Sequence, residues 1–440
     1  MLSFKSISIN LLILILSLII SIYSIELILK FNIIDINSGQ KKIEKQNQLY
    51  FERTGKKFNR LPVIEEIGNL KKNNIQAVAT YFPGQFTEIN NSDDFPLSGL
   101  SNTWSVFCNE NGYYSKYFSD RYGFNNPDDE WDKTEIEYLL IGDSFVHGAC
   151  VDRPNDIASQ LRIQSNKNSL NLGQGSIGPL LEFAIMKEYN LDNVKKILWF
   201  FYEGNDIEDL KQEINNNTIS KYYYEDDFTQ NTKLRKSYFE KKILSLLYER
   251  KLKISIQAEI ATGVAEADQL QAAEIATAIA EANPEATAAI AGDVADAAPE
   301  MKDKVEKKEL NFKLTNTTKF LTKMYSSYLY EKHYVKNNEE FYNIFSKILE
   351  KANKYTKGNN PEFIFVYLPE WKRYSSFFYN KNKLLKIKSI VTELNIRFIN
   401  MDEEVFSKED DPLNLFSFKM DNHYTKDGYK KIAKFISNNI

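Results

Sequence analysis

A chain of 440 residues with 43% hydrophobic and 13% aromatic content has material for one large domain with additions, or for two modest ones. Its net charge of −4 offers none of the basic field that draws proteins to nucleic acid, so DNA and RNA are excluded as expected partners. Only two cysteines occur, Cys108 and Cys150.

The amino-terminal residues differ in kind from the rest. From Leu11 to Ile25 the run LLILILSLIISIYSI carries no charge, and LIL follows Glu26. Together these make a span of roughly 20 residues, the length that crosses a bilayer as a helix. A secretory signal has a shorter apolar core and a small-residue cleavage site, so residues 1–30 are expected to be an uncleaved transmembrane anchor. Lysines lie on both sides of the span (Lys5 before; Lys30, Lys41, Lys42 and Lys45 after), and charge therefore gives it no orientation. Residues 31–61, polar and lysine-rich, read as a stalk. Residues 62–135, with their NG, NP and PDD signals, read as short strands and tight turns covering a larger domain.

A regular rhythm comes next. Residues 136–142, 169–173, 194–204, 362–370 and 396–402 are short, mostly apolar runs with the character of strands buried on both faces. Helical patterns lie near 154–165, 179–191, 336–356, 380–394 and 425–438. Alternation of this kind implies a parallel sheet with helices on both faces, whose ligand crevice lies at the carboxyl ends of the strands. The expected α/β domain comprises 136–253 and 302–440. Between its halves, 254–301 is foreign in composition: of the 42 residues Gln257 to Ala298, 17 are alanine and none is Lys, Arg or aromatic. It reads as an acquired helical insertion without a part in chemistry.

The residues that carry chemistry sit at the ends of the predicted strands. In GDSFVHG, Ser144 follows the first strand between Gly142 and Gly148. It either caps the next helix or, lifted into the crevice by a tight turn, acts as a nucleophile. A serine needs a base and the base an orienting acid. Of the three histidines, His423 in KMDNHYTKDGY has Asp421 two residues earlier and forms the better pair. His147 is expected to line the site, and His333, in a tyrosine-rich stretch, to pack or face solvent. NLGQGSIGP (171–179) can present backbone N–H groups to an oxyanion, and EGND (203–206) presents the amide of Asn205.

These four motifs, in this order, resemble those of the SGNH/GDSL hydrolase superfamily over about 137–206 and 362–440. The resemblance implies a three-layer α/β/α, flavodoxin-like parallel sheet. It also implies roles: Ser144 as nucleophile, His423 as base oriented by Asp421, and Asn205 with the backbone of Ser144, Gly175 and Ser176 as oxyanion donors. His147 and Gly178 are expected at the substrate. The pair is D-x-H where the family more often has D-x-x-H, similar to membrane-associated polysaccharide acetyltransferase-like relatives, and Ser176 stands where a glycine is usual.

The resulting expectation is a serine esterase acting on O-acyl groups of a cell-envelope glycan or lipid, membrane-anchored with an extracytoplasmic, periplasmic catalytic domain, and needing no cofactor or metal. The alternatives are an O-acyltransferase on the same substrates, differing only in whether water or a sugar hydroxyl resolves the acyl-enzyme, and a tethered glycan-binding or assembly module without turnover. In an oxidising compartment Cys108 and Cys150 would form a bridge stapling the covering segment to the rim of the site; two buried free thiols are the alternative.

Overall fold

The computed structural model describes residues 38–88, 93–189, 192–262, 332–356, 361–376 and 381–440 and a few isolated positions, with side chains from residue 42 and not for 251–262. The expected anchor and most of the alanine-rich insertion lie outside these residues. Among the described residues no helix is long and apolar enough to cross a membrane. The chain divides into two compact units, 1–246 with 316–440, and 247–315; the strands and the candidate site all belong to the first.

The described residues form eight strands: β1 Ala77–Ala79, β2 Trp104–Val106, β3 Lys116–Phe118, β4 Ile136–Ile141, β5 Ser169–Asn171, β6 Val194–Tyr202, β7 Glu362–Leu368 and β8 Arg397–Asn400. The last five make one sheet in the order β5-β4-β6-β7-β8, every neighbouring pair parallel. Counted from β4 this is 2-1-3-4-5, the flavodoxin-like order, in which the chain reverses its direction of travel across the sheet between the first and third strands. The crevice of this protein is therefore expected past the carboxyl ends of β4 and β6.

Period-two alternation explains the layers. Tyr138 and Leu140, Leu198 and Phe200, and Ile364, Val366 and Leu368 share a core with Ile157, Ala158 and Leu161 of helix Ile157–Ser165 and with Tyr429, Ile432 and Ile436 of helix Lys426–Asn439. On the opposite face, Phe201 packs against Phe345 of helix Glu339–Thr356 at 5.3 Å between ring centroids. With both faces covered, β4, β6 and β7 are apolar over most of their length, and their charged residues, Glu137, Lys195, Lys196 and Glu362, stand near their amino-terminal ends.

The first three strands build a separate small sheet in the order β1-β2-β3, with β1 parallel to β2 and β2 antiparallel to β3. The adjoining segment corrects the stalk reading. Ser38–Thr54 is helical, its Gln46 is buried, and Gln46 Nε2 donates to the Glu110 carbonyl at 2.9 Å. Tyr50 and Phe58 pack with Phe418 from the carboxyl-terminal half. Residues 42–61 thus reach the covering segment through Gln46 and through Asn109 Nδ2 donating to the Asn59 carbonyl at 2.6 Å, while Tyr50 and Phe58 join an apolar cluster with Phe418 and Met420.

Candidate active site

Ser144 opens a single helical turn, Ser144–His147, directly after β4. Asp143 is the N-cap, its Oδ1 accepting from the N–H of Phe145 at 2.9 Å, which satisfies one amide the turn would otherwise orphan. The turn ends at Gly148 with φ +87°, where a β-carbon would press on Asp156. Glycine is required there, because the chain must reverse sharply to leave Ser144 at the strand end.

Ser144 lies in a cavity of about 320 Å³ whose lining includes Glu110, Phe145, Ser176, Tyr202, Asn205, Lys372 and His423. Its hydroxyl is 2.9 Å from His423 Nε2. The loop before helix Lys426–Asn439 carries His423, its place held by Ser417 N–H donating to the His423 carbonyl at 3.2 Å and by Thr425, the N-cap of that helix. Phe145 supports the imidazole at 4.7 Å between ring centroids.

The acid that faces the other ring nitrogen is Glu110, from the covering segment. Glu110 Oε1 is 3.1 Å from His423 Nδ1, and its Oε2 accepts from the backbone N–H of the same histidine at 2.7 Å. One carboxylate so holds both the ring and the main chain of His423, which directs the Nδ1 proton toward Glu110 and leaves Nε2 free to accept from Ser144. Burial alone would lower the His423 pKa, but the charge and hydrogen bond of Glu110, with smaller help from Asp143 and Asp421, hold it above its ordinary 6.5. Burial would raise Glu110; the charge and hydrogen bonds of His423, then Lys42, keep it below 4.5.

This corrects the expected Asp421–His423 pair. Asp421 is exposed and lines the same cavity, while its backbone carbonyl accepts from Lys42 Nζ at 3.0 Å. Sequence adjacency does not aim a side chain: the turn carrying Asp421, closed by Asn422 N–H on the Met420 carbonyl at 2.8 Å, leaves Nδ1 to a residue 313 positions before the histidine. The signal for Glu110 was present in the cysteines. Cys108 and Cys150 are bonded, with Cα atoms 4.8 Å apart, and Cys150 Sγ is 3.7 Å from His423 Nδ1. A bridge from the Ser144 turn to Cys108 delivers Glu110, two residues on, to the histidine.

Asn205 follows β6 and lines the cavity. Its Nδ2 donates to Asp209 Oδ2 at 2.6 Å, so the carboxylate one helical turn later fixes the amide plane. Ser176 also lines the cavity, with φ +58°, a left-handed conformation that turns this part of the loop. Gly175 lies beside it against Phe82, where any β-carbon would collide with the ring.

Two expected substrate contacts are displaced from the cavity. Gly178 N–H donates to Glu213 Oε1 at 2.5 Å; Glu213 also accepts from Leu180 and Leu181, and thus serves the first turn of helix Pro179–Tyr189. His147 is fully buried, stacked on Phe107 at 4.4 Å and edge-on to Tyr117 at 5.0 Å. Burial pushes its pKa down to about 3, so the ring is neutral and packs as an aromatic under the covering segment.

No family model and no curated protein matches the chain. A solved structure described as a G-D-S-L-family lipolytic protein from Desulfitobacterium hafniense is similar over 70% of this chain and 100% of that one, at 12% identity and a TM-score of 0.32; at that level the likeness carries no argument for fold or activity.

Proposed function

We propose that this chain is a serine esterase that cleaves O-acyl esters through an acyl-enzyme. The observation that carries the reading is the continuous contact from Ser144 Oγ through His423 to Glu110. Ser144 Oγ attacks the ester carbonyl as its proton passes to His423 Nε2, while Glu110 stays ionised and stabilises the imidazolium. The imidazolium then protonates the departing alkoxide. Water enters, gives a proton to His423, and releases the acid from Ser144. The negative carbonyl oxygen is met by the N–H groups of Ser144 and Ser176 and by the second amide hydrogen of Asn205.

The substrate class is read as an O-acylated glycan or lipid of the cell envelope. Two features support this: the apolar run between Leu11 and Leu29, taken as a membrane anchor, and the Cys108–Cys150 bond, which suits an oxidising compartment. The decisive experiment is labelling of the purified protein with a fluorophosphonate. The wild type should be labelled at Ser144 and Ser144→Ala should not; equal labelling of both would overturn the reading.

A further inference from the structure

We propose that Cys108, Glu110, Cys150 and His423 form a second, metal-binding site for Zn²⁺ that opens when the Cys108–Cys150 bond is reduced. One potential ligand atom from each residue lies within 4.8 Å of all the others. The four come from the covering segment, the Ser144 turn and the loop before the last helix, so no local Cys-x-x-Cys spacing announces them in the sequence.

The geometry suits a tetrahedral ion. Zinc takes thiolate sulfur at about 2.3 Å and imidazole nitrogen or carboxylate oxygen at about 2.0–2.2 Å, which sets neighbouring ligand atoms about 3–4 Å apart. His423 Nδ1 is 3.1 Å from Glu110 Oε1 and 3.7 Å from Cys150 Sγ. Only the two sulfurs lie closer than a metal requires, because they share a bond. Two thiolates and an imidazole select zinc over calcium or magnesium, which prefer oxygen. The imidazole is already oriented from outside the site: Ser144 holds its Nε2. Glu110 is oriented in the same way, since its second oxygen accepts from the His423 main chain. Supports of this kind are what metal ligands need. Cys150 is buried, whereas Cys108, Glu110 and His423 are only half-buried, leaving a path from the cavity.

The chemistry balances in two steps. A dithiol gives two electrons and two protons to the disulfide and is itself oxidised to a disulfide, leaving two thiols. Binding of Zn²⁺ then releases both thiol protons to solvent and moves the ring proton from Nδ1, now bound to the metal, to Nε2. An Nε2 that carries a proton has no lone pair left to accept one from Ser144. The bridged chain is therefore the active form and the reduced, zinc-loaded chain a silent one. This silencing rests on the esterase reading, whereas metal binding does not.

Reduction of the purified chain with a phosphine, which leaves as its oxide, followed by titration with Co²⁺ as a visible probe, tests the site. Reduced wild type should take up one Co²⁺ per chain with the strong visible and thiolate charge-transfer absorption of tetrahedral sulfur coordination, and Zn²⁺ should bleach it. The bridged form, the Cys108→Ser/Cys150→Ser double variant and reduced His423→Gln, which keeps both cysteines, should lack that spectrum. Fluorophosphonate labelling of reduced wild type should fall at least tenfold with equimolar Zn²⁺ and return with a chelator. The site is overturned if reduced wild type binds no more Co²⁺ than the double variant, or binds it without thiolate absorption. Absence of labelling in every form, with the cobalt spectrum intact, would sink the esterase reading and leave the metal site standing.

Discussion

The two ring nitrogens of His423 face two different parts of the molecule. Nε2 meets Ser144, carried by the parallel sheet; Nδ1 meets Glu110, carried by the covering segment. The sheet side is built from local rules, a buried strand running into a capped turn. The Glu110 side depends on a segment outside the sheet, held by a covalent bond and by Gln46 donating to the Glu110 carbonyl. The acid of such a relay therefore need not come from the scaffold that supplies its serine and base, provided something pins the acid to the base.

The strongest loss should come from removing the acid that orients His423. Glu110→Gln should lower kcat by about 10³–10⁴-fold, since the amide can no longer stabilise the imidazolium, whereas Asp421→Asn should change kcat little. The pH profile separates them independently. His423 must be neutral to accept the serine proton, and its folded pKa is held above 6.5 mainly by Glu110 against burial. Wild-type kcat/KM should therefore fall on an acid limb lying above pH 6.5. Glu110→Gln should move that limb to lower pH, and Asp421→Asn should move it much less. A larger displacement from Asp421→Asn would return the role to the acid nearest in sequence.

On the sheet side, Asn205→Ala should lower kcat by about 10²–10³-fold with little change in KM, because the amide meets charge that develops only in the transition state. Asp209→Ala, which removes the partner of Asn205 Nδ2, should give part of that loss. An unchanged kcat in Asn205→Ala would remove the amide from the mechanism.

The covalent link gives a smaller effect, read in stability. The bonded cysteines are 42 residues apart, and opening a loop of that size costs about 3–4 kcal/mol in the chain-entropy account. Cys108→Ser should lower the unfolding free energy by that order in denaturant titrations without metal, and should reduce kcat as Glu110 loses its tether. Full activity in this variant would show that the Gln46 contact and the neighbouring packing hold Glu110 unaided.

The gentlest test concerns acids beneath the sheet side. Burial raises Asp209 to about 6, Asp143 to about 7 and Glu213 to about 8. Each binds its proton more tightly folded than unfolded, so its stabilising share is complete below the unfolded carboxyl pKa, near 4, and is lost as pH rises through the folded value. The raised His423 acts in the same sense between 6.5 and its higher folded value. Below 6.5 the depressed His147 acts in the opposite sense, so thermal stability should decline from about pH 6.5 to about pH 9, and Glu213→Gln should flatten the upper part of the slope. A melting temperature that rises across this range would contradict those burial effects.

How much of this could be read from the residues depends on how far apart the interacting groups lie in the chain. Strands β4 to β8 were legible because a sheet covered on both faces needs continuous apolar runs, and Ser144, Asn205 and His423 because strand ends and helix starts collect at one edge of such a sheet. The covering segment offered no comparable periodicity: its strands β1 to β3 are three residues each and pair with one another across turns of varied length. Asp421 is the acid expected from the sequence, where Glu110 does not stand out, because proximity in sequence is visible and direction is not. His147 carried the signature of a site residue, yet Phe107, Tyr117 and Phe82 enclose it, and a neutral imidazole packs there as an aromatic. Periodicity, and turns a few residues long, were enough to specify the parallel α/β scaffold and to bring Ser144 and His423 to one edge of it. The acid, the bridge and the fate of His147 were left to tertiary packing, since each depends on groups that become neighbours only in the folded chain.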